Sequence, residues 1–211
     1  MQDPVRRINK NTKAHLAIAS LNMRGAGTNA PLHPNNKWSA INFMLKDKRL
    51  GVLALQEMHL TEQLTANLHN LYGKRMQIFQ SANPTAPTQR AGVAIVINKE
   101  LANVKGATSS EIVPAVYALN DPSKNRCFWE GITQRWDELN LAPPDVVLGD
   151  FNLVDEAIDR LPAHADDPDA VAELADIKNH FGVIDGWQST FPETRDYSFI
   201  QEATGSHSRI D

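Results

Sequence analysis

The chain has 211 residues, of which 42% are hydrophobic and 22% are charged, and its formal net charge is −4. This composition is typical of a globular protein, and no apolar run approaches the ~18 residues that a membrane span requires. The first residues contain no apolar signal core, so the sequence predicts an intracellular protein of the nucleus or the cytoplasm. The single cysteine, Cys127, excludes an intrachain disulfide.

Residues 1–13 are polar and basic, which predicts a flexible tail. Residues 14–211 are expected to form a single domain, because this length is within the usual range for layered folds. Cys127 lies within an apolar helical pattern and is therefore predicted to be a small core residue.

Strands and helices are predicted to alternate along the chain. Apolar residues at helical spacing predict helices over residues 36–49 and 61–72, and Asp-Pro pairs predict helix starts at Asp121 and Asp167. A continuous apolar strand over residues 91–97 suggests cover on both faces. The pattern indicates an α/β fold. It does not separate a doubly wound parallel sheet from two packed sheets with outer helices.

Polar residues follow the ends of several apolar runs, in the order Asn22, Glu57, Asp150, Asn152 and Asp211. Side chains alternate along a strand, so the Asp-x-Asn pair is expected to lie on one side of a sheet edge. A carboxylate can hold a metal or activate a water, and a carboxamide can donate to a phosphate oxygen. This set favours phosphodiester hydrolysis, although Asp and Asn also end strands simply because they favour turns.

Six short motifs occur along the chain: Leu-Asn-Met-Arg-Gly at 21–25, Leu-Gln-Glu-Met-His at 55–59, Ala-Val-Tyr-Ala-Leu-Asn-Asp at 115–121, Gly-Asp-Phe-Asn at 149–152, Tyr-Ser-Phe at 197–199 and Ser-Arg-Ile-Asp at 208–211. In this order they resemble the motifs of the endonuclease/exonuclease/phosphatase superfamily, and most closely those of the endonuclease domains of non-LTR retrotransposons. The resemblance covers about residues 15–211. It implies a DNase I-like fold, in which two packed β-sheets are flanked by helices in a four-layer sandwich.

The resemblance also implies roles for five residues. Glu57 would bind Mg²⁺ or Mn²⁺, and Asp150 would orient and deprotonate the attacking water. Asn152 would hold a phosphate oxygen, and Asn22 would either bond the phosphate or fix Asp150. Tyr117 resembles the tyrosine that faces the phosphate, although a half-buried strand aromatic is an equally good interpretation of its spacing.

Three more residues are given supporting or orienting roles by the resemblance. Ser198 matches a hydroxyl position of the family, and His59 is expected to support the site without binding the metal. Asp211 is placed where the family has the carboxylate that orients a catalytic histidine, although the last residue of a chain is ordinarily a solvated end.

The implied function is Mg²⁺-dependent hydrolysis of DNA by an endonuclease of retroelement type, with a reverse transcriptase region as a partner in the full-length element and no membrane association. Two alternatives stay open: a phosphomonoesterase of the same superfamily, and a catalytically impaired or inactive remnant. The second follows from an expectation that the domain is incomplete. The family's final strand pair, with its histidine, would follow Asp211, and a strand before Ala115 is expected to be missing.

Overall fold

The structure is a computed structural model that describes residues 16–30, 32–81, 92–102 and 115–210. The predicted tail, the segment directly before Ala115, and Asp211 lie outside the described residues.

The described elements alternate between strands and helices over part of the chain, as the sequence predicts. In chain order they are β1 (Ala17–Asn22), α1 (Lys37–Asp47), β2 (Leu50–Gln56), α2 (Glu62–Tyr72), β3 (Met76–Ser81), β4 (Val93–Asn98), β5 (Ala115–Tyr117), α3 (Pro122–Glu138), β6 (Leu148–Asp150), a 3-10 turn (Ala157–Asp159), β7 (Arg160–Leu161), α4 (Pro168–Phe181), α5 (Gly186–Thr190), β8 (Phe199–Gln201) and β9 (Ser206–Ser208). Four strands form one sheet in the order β1-β2-β4-β3, β5 pairs with β6, and β7, β9 and β8 form a third, small sheet.

The four-stranded sheet has helices on one face and a second sheet on the other. Helices α1 and α2 cover the first face, and their buried residues Trp38, Leu45 and Leu68 pack with Leu53 and Leu55 of β2. All seven residues of β2 are buried, which agrees with its continuous apolar sequence.

The opposite face of this sheet packs against the β5–β6 pair through Val52, Ile95 and Ile97, with Ala115 and Leu148 on the other side. Helices α3 and α4 close the far side of β5 and β6. The layers therefore run helices, sheet, sheet, helices, which confirms the predicted four-layer arrangement of two packed sheets flanked by helices.

The predicted helix starts are confirmed by their caps. The side chain of Asp121 accepts from the backbone N–H of Lys124, and the side chain of Asp167 accepts from those of Asp169 and Ala170. An N-cap of this kind satisfies a donor that the first turn leaves unpaired. The predicted strand over 91–97 corresponds to β4.

The prediction that Cys127 is a core residue is wrong, because its side chain is exposed. Helix α3 buries Asn125 and Trp129 instead, and two residues correspond to roughly 200° around a helix, so Cys127 lies nearly opposite both. The buried face is fixed by hydrogen bonds as well as by packing. Asn125 Nδ2 donates to the carbonyl oxygens of Leu119 and Phe151, and Trp129 Nε1 donates to Asn125 Oδ1.

Within the residues that the structure describes, no helix combines the length and the apolar character that crossing a membrane would require.

Candidate active site

The predicted site residues come together because the strands that carry them end at one edge of the packed sheets. β1 and β2 run parallel, and Asn22 is paired with Gln56 at their common end, with Glu57 following directly. β5 and β6 are also parallel, and Tyr117 is paired with Asp150 where they end. Residues from four strands therefore surround one position.

Asn22 joins the two carboxylates of the site. Its Nδ2 atom donates to Glu57 Oε1 over 2.9 Å and to Asp150 Oδ2 over 3.2 Å. The hydroxyl of Tyr117 donates to the same Glu57 Oε1 over 3.0 Å. Of the two contacts considered for Asn22, the one to Asp150 is present, whereas contact with a phosphate stays a prediction.

The Asp-x-Asn pair reaches the site by a different geometry from the one that strand alternation predicts. β6 ends at Asp150, and Asn152 has a φ of 51°, so the chain has already left the extended conformation. Asn152 donates through its backbone N–H to Asp150 Oδ1 over 3.2 Å and through Nδ2 to the carbonyl oxygen of Ala118 over 2.8 Å. Both side chains still face the same cleft, but a turn places them there.

Gly149 is required by the close approach of β5 to β6. Its φ is 150°, and a Cβ atom added there would lie 2.0 Å from the carbonyl oxygen of Val116. Any side chain would push the two strands apart, and Asp150 follows directly. The glycine of the Gly-Asp-Phe-Asn motif therefore sets the position of the carboxylate next to it.

Glu57 is held in a backbone conformation that non-glycine residues adopt rarely, with a φ of 51°. Such a conformation persists only where the surroundings fix it, and it is frequent at functional sites. Here the carbonyl oxygen of Glu57 accepts from the N–H of Gly25 over 2.7 Å, and the next N–H, of Met58, donates to Gly92. The turn after β2 thus aims the carboxylate away from the buried strand and into the cleft.

These residues line an open cleft of about 390 Å³. Its other lining residues include several that the sequence analysis did not select: Arg24, Asn120, Arg160, Phe199, Gln201, Ser208 and Ile210. Arg160 is fixed by a two-point contact with Asp166, in which Nε and Nη2 lie 2.9 Å and 2.6 Å from the two carboxylate oxygens. Nothing in the local sequence around Arg160 distinguishes it from a surface arginine, so only the fold shows that it reaches the cleft.

Two of the predicted supporting residues lie outside the cleft lining. Ser198 is exposed, and its Oγ accepts from the N–H of Ile210 over 3.2 Å. His59 is half-buried and lies near the loop that contains Gly25.

Comparison with known proteins identifies the family. The sequence profile of the Endonuclease/Exonuclease/phosphatase family matches residues 19–211. The chain belongs to this family. The predicted resemblance to the superfamily is confirmed.

One curated protein that is similar to this chain is a transposon protein. The "Transposon TX1 uncharacterized 149 kDa protein" of Xenopus laevis is 26% identical over 212 residues, which covers 93% of this chain. The match covers only 16% of the relative, so the chain spans about a sixth of the relative's length.

A solved structure of an AP endonuclease shares the fold. An AP endonuclease from Archaeoglobus fulgidus superimposes with a TM-score of 0.63 at 16% sequence identity, over 89% of this chain and 79% of that chain. A truncated TDP2 from Caenorhabditis elegans gives a TM-score of 0.47 at 15% identity, over 83% of this chain and 74% of that chain. At this level of identity, the likeness to the AP endonuclease concerns the fold alone, and that fold is the DNase I-like one.

The electrostatics of the family member's site keep Tyr117 protonated. Burial raises the pKa of the Tyr117 phenol to about 12, and the negative charge of Glu57, its hydrogen-bond partner, adds to the effect. The phenol is therefore a hydrogen-bond donor at neutral pH, and its proton points to Glu57.

The donor set suits a hard divalent cation. In the described part of the chain, no group of three or more His, Cys, Asp or Glu side chains could enclose a metal ion, whereas a structural zinc site uses four such ligands. Mg²⁺ is ordinarily bound by one or two carboxylates and keeps several waters. Glu57 and Asp150, which both accept from Asn22, are the two carboxylates that could hold such an ion.

Proposed function

We propose that this chain is an endonuclease that uses Mg²⁺ or Mn²⁺ to hydrolyse phosphodiester bonds in DNA. The observation that carries the proposal is the contact of Asn22 with both Glu57 and Asp150, at an edge where four strands end. Family membership supports hydrolysis of a phosphoester bond, and this arrangement supplies the groups that such a reaction needs.

Glu57 is the residue that would hold the metal. Its Oε1 atom is occupied by two donors, Asn22 and Tyr117, and no donor to Oε2 is found among the described residues. Asn22 and Tyr117 therefore orient the carboxylate through Oε1, and Oε2 is the oxygen that would bind the metal. When bound, the metal would neutralise charge that develops on the phosphate.

Asp150 would accept the proton of the attacking water. It is buried at the end of β6, and the side chain of Asn22 and the backbone N–H of Asn152 fix both of its carboxylate oxygens. Because a general base must be held within hydrogen-bond reach of the water from which it takes the proton, this fixed orientation suits the role. Asn152 lines the cleft beside it and would donate to a phosphate oxygen.

Arg24 makes the cleft suitable for a polyanion, because its guanidinium group is exposed there. Arg160 also lines the cleft, but the ion pair with Asp166 offsets its charge, so Arg160 would contribute a hydrogen-bond donor rather than net positive charge. The net charge of −4 gives no general attraction for DNA, so cations placed beside the site would supply the phosphate contacts.

The name of the curated relative links it to a transposon, which is a DNA element, and this supports DNA as the substrate class. The relative is about six times longer than the matched part. We therefore expect a partner activity, such as a reverse transcriptase region, in the same polypeptide, and we expect it to act inside the cell.

A plasmid-nicking assay tests this function. With Mg²⁺, the chain should convert supercoiled plasmid to the open circle, and chelation of the metal should stop the reaction. Asp150→Asn should lower the rate by ~10²–10⁴-fold, the usual contribution of a positioned base. Asp176→Asn, at an exposed position on α4, is the matched control and should leave the rate unchanged.

Each other outcome has a clear meaning. Nicking that survives Asp150→Asn would place the active site elsewhere. Hydrolysis of a phosphomonoester without nicking would favour a phosphatase of the same family. A folded chain that cleaves neither substrate would be an inactive remnant.

A further inference from the structure

The loop that follows β1 is bound by the first turn of α1. The ammonium group of Lys37 donates to three successive carbonyl oxygens, those of Met23 at 2.6 Å, Arg24 at 3.2 Å and Gly25 at 3.1 Å. An ammonium group has three N–H donors, so all of them can be used within the protein. Lys37 is half-buried rather than extended into water.

The neighbouring residue of the helix extends the same contact. Trp38 is fully buried, and its Nε1 atom donates to the carbonyl oxygen of Ala26 over 3.1 Å. Two adjacent side chains of α1 therefore bind four consecutive carbonyl groups, those of residues 23–26. A loop whose carbonyls are all bound to one helix has little freedom to change its conformation.

Lys37 occupies a position that the helix itself does not favour. It is the first residue of α1, and no acidic residue lies in that first turn. A positive charge at a helix N-terminus opposes the helix dipole. Residues that are unfavourable for local structure frequently occur at functional sites. Here the hydrogen bonds of Lys37 to the loop carbonyls offset its unfavourable interaction with the helix dipole.

The bound loop controls the orientation of Asn22. The backbone N–H of Arg24 donates to Asn22 Oδ1 over 3.0 Å, which turns Nδ2 towards the two carboxylates. Arg24 has a φ of 47°, which a non-glycine residue adopts rarely. The backbone of Arg24 is thus held in a conformation that depends on its surroundings, whereas glycine adopts the φ of 95° at Gly25 readily.

We propose that Lys37 is a positioning residue for the active site. It fixes the loop of residues 23–25, and the loop fixes the carboxamide of Asn22 between Glu57 and Asp150. Lys37 does not contact the substrate, because its donors are used by the loop.

The side-chain amide signals of Asn22 in a ¹H–¹⁵N NMR spectrum test the inference without any need for activity. Lys37→Met keeps most of the apolar stem and removes the donors. We expect the Asn22 signals to shift and the two amide protons to exchange faster with each other. Lys46→Met changes an exposed lysine of the same helix and should leave the Asn22 signals in place. Unchanged Asn22 signals in a folded Lys37→Met protein would overturn the inference.

Two further variants keep the test decisive. Lys37→Arg retains a charged donor and should restore most of the wild-type position of the Asn22 signals. If Lys37→Met does not fold, Lys37→Gln is measured in its place. An intermediate shift of the Asn22 signals would support the inference, and signals that match wild type would contradict it.

The kinetic test rests on the proposed function. In the nicking assay, Lys37→Met should lower kcat by about 10–100-fold, because misplacement of a catalytic group by ~1 Å can cost ~10²-fold. KM should rise as well, because Arg24, a proposed phosphate contact, lies in the same loop. A raised KM with unchanged kcat would mean that the loop acts on DNA binding alone and would contradict the positioning of Asn22 by Lys37. If the wild-type chain does not nick DNA, the proposed function fails, and the NMR comparison still decides the role of Lys37.

Discussion

The two halves of the described structure position the proposed catalytic groups in different ways. Between residues 16 and 102, the strands are six or seven residues long, and β2 is buried along its whole length. Between residues 115 and 210, the strands have only two or three residues. The long strands of the first half bring Asn22 and Glu57 to one edge by register, and the loops that follow them then orient both side chains. The short strands of the second half provide less register for Asp150.

Partly buried ion pairs replace strand length in the second half. Arg209 is 12% exposed and binds Asp159, which is 3% exposed, as well as Asp185. The backbone N–H of Arg209 also donates to the carbonyl oxygen of Asp159, and the carbonyl of the next residue, Ile210, accepts from Phe151 beside Asp150. In the first half, the pair between Arg75 and Glu100 is at the surface, with Glu100 55% exposed. In the first half, apolar packing holds the site, whereas in the second half partly buried ion pairs add to the apolar packing of α3 and α4 against β5 and β6.

Loss of Arg209 should have the largest effect on stability. Arg209→Met leaves the buried Asp159 without its partner, and breaking a buried pair in this way costs about 3–5 kcal/mol. Arg75→Met is the matched change in the first half and should cost about 0–1 kcal/mol, as is usual for exposed pairs. The free energy of unfolding from urea titration measures both. Equal losses would remove the distinction between the halves.

The contribution of Arg209 to the free energy of unfolding should depend on pH through its partner Asp185. Burial acts to raise the pKa of Asp185, but the N–H of Gln188 and the guanidinium of Arg209 outweigh it and lower the pKa below its ordinary value. A lowered carboxyl pKa stabilises the fold above the unfolded-state pKa, and the contribution is lost as the pH falls through the folded-state value. Acid should therefore destabilise the wild type more than Arg209→Met.

Truncation of a core residue of β2 should have the second-largest effect on stability, and it tests the role of apolar packing in the first half. Leu53 is fully buried, and Leu53→Ala should lower the free energy of unfolding by about 2–5 kcal/mol through lost burial and the cavity it leaves. Leu71 on α2 is 48% exposed, so Leu71→Ala should have a small effect. A small loss for Leu53→Ala would mean that packing does not dominate the first half.

The smallest effect on stability is expected from His69, a titratable residue of the first half. Its Nε2 atom accepts from the N–H of Ile78 over 3.0 Å, and burial, with a contribution from Lys99, lowers the pKa of His69. The neutral ring is thus favoured in the fold, so stability should fall as the pH drops below the ordinary value of ~6.5. The loss of stability on protonation of His69 should equal that of about one hydrogen bond, ~0.5–1.5 kcal/mol. In His69→Gln this acid dependence should be absent, and its persistence would assign it to another group.

The sequence predicted the parts of the fold and site that depend on local pattern. The continuous apolar run of β2 predicted a buried strand, and Asp121 and Asp167 predicted helix starts. Asn22, Glu57 and Asp150 were selected because each follows an apolar run. Parallel strands bring such ends together.

The parts that the sequence did not predict depend on contacts between distant residues. Arg209 and Asp159 are separated by 50 positions, and Asn152 reaches Ala118 across 34, so no local pattern indicates either contact. The positive φ of Glu57 is also not predictable from its residue type, because glycine is the usual signal for that conformation and Asn, as at position 152, is the common exception. The exposed Cys127 shows the same limit, since tertiary hydrogen bonds of Asn125 set the buried face of α3.

Metal binding by Glu57 is the central claim, and calorimetric titration of Mg²⁺ or Mn²⁺ tests it most directly. The wild type should bind the metal, and Glu57→Gln should lose at least about tenfold in affinity, since even the loss of a residue that only supports a ligand costs 10–100-fold. Glu138→Gln, at an exposed position at the end of α3, is the control and should bind as the wild type does. Equal affinity of the wild type and Glu57→Gln would contradict the account.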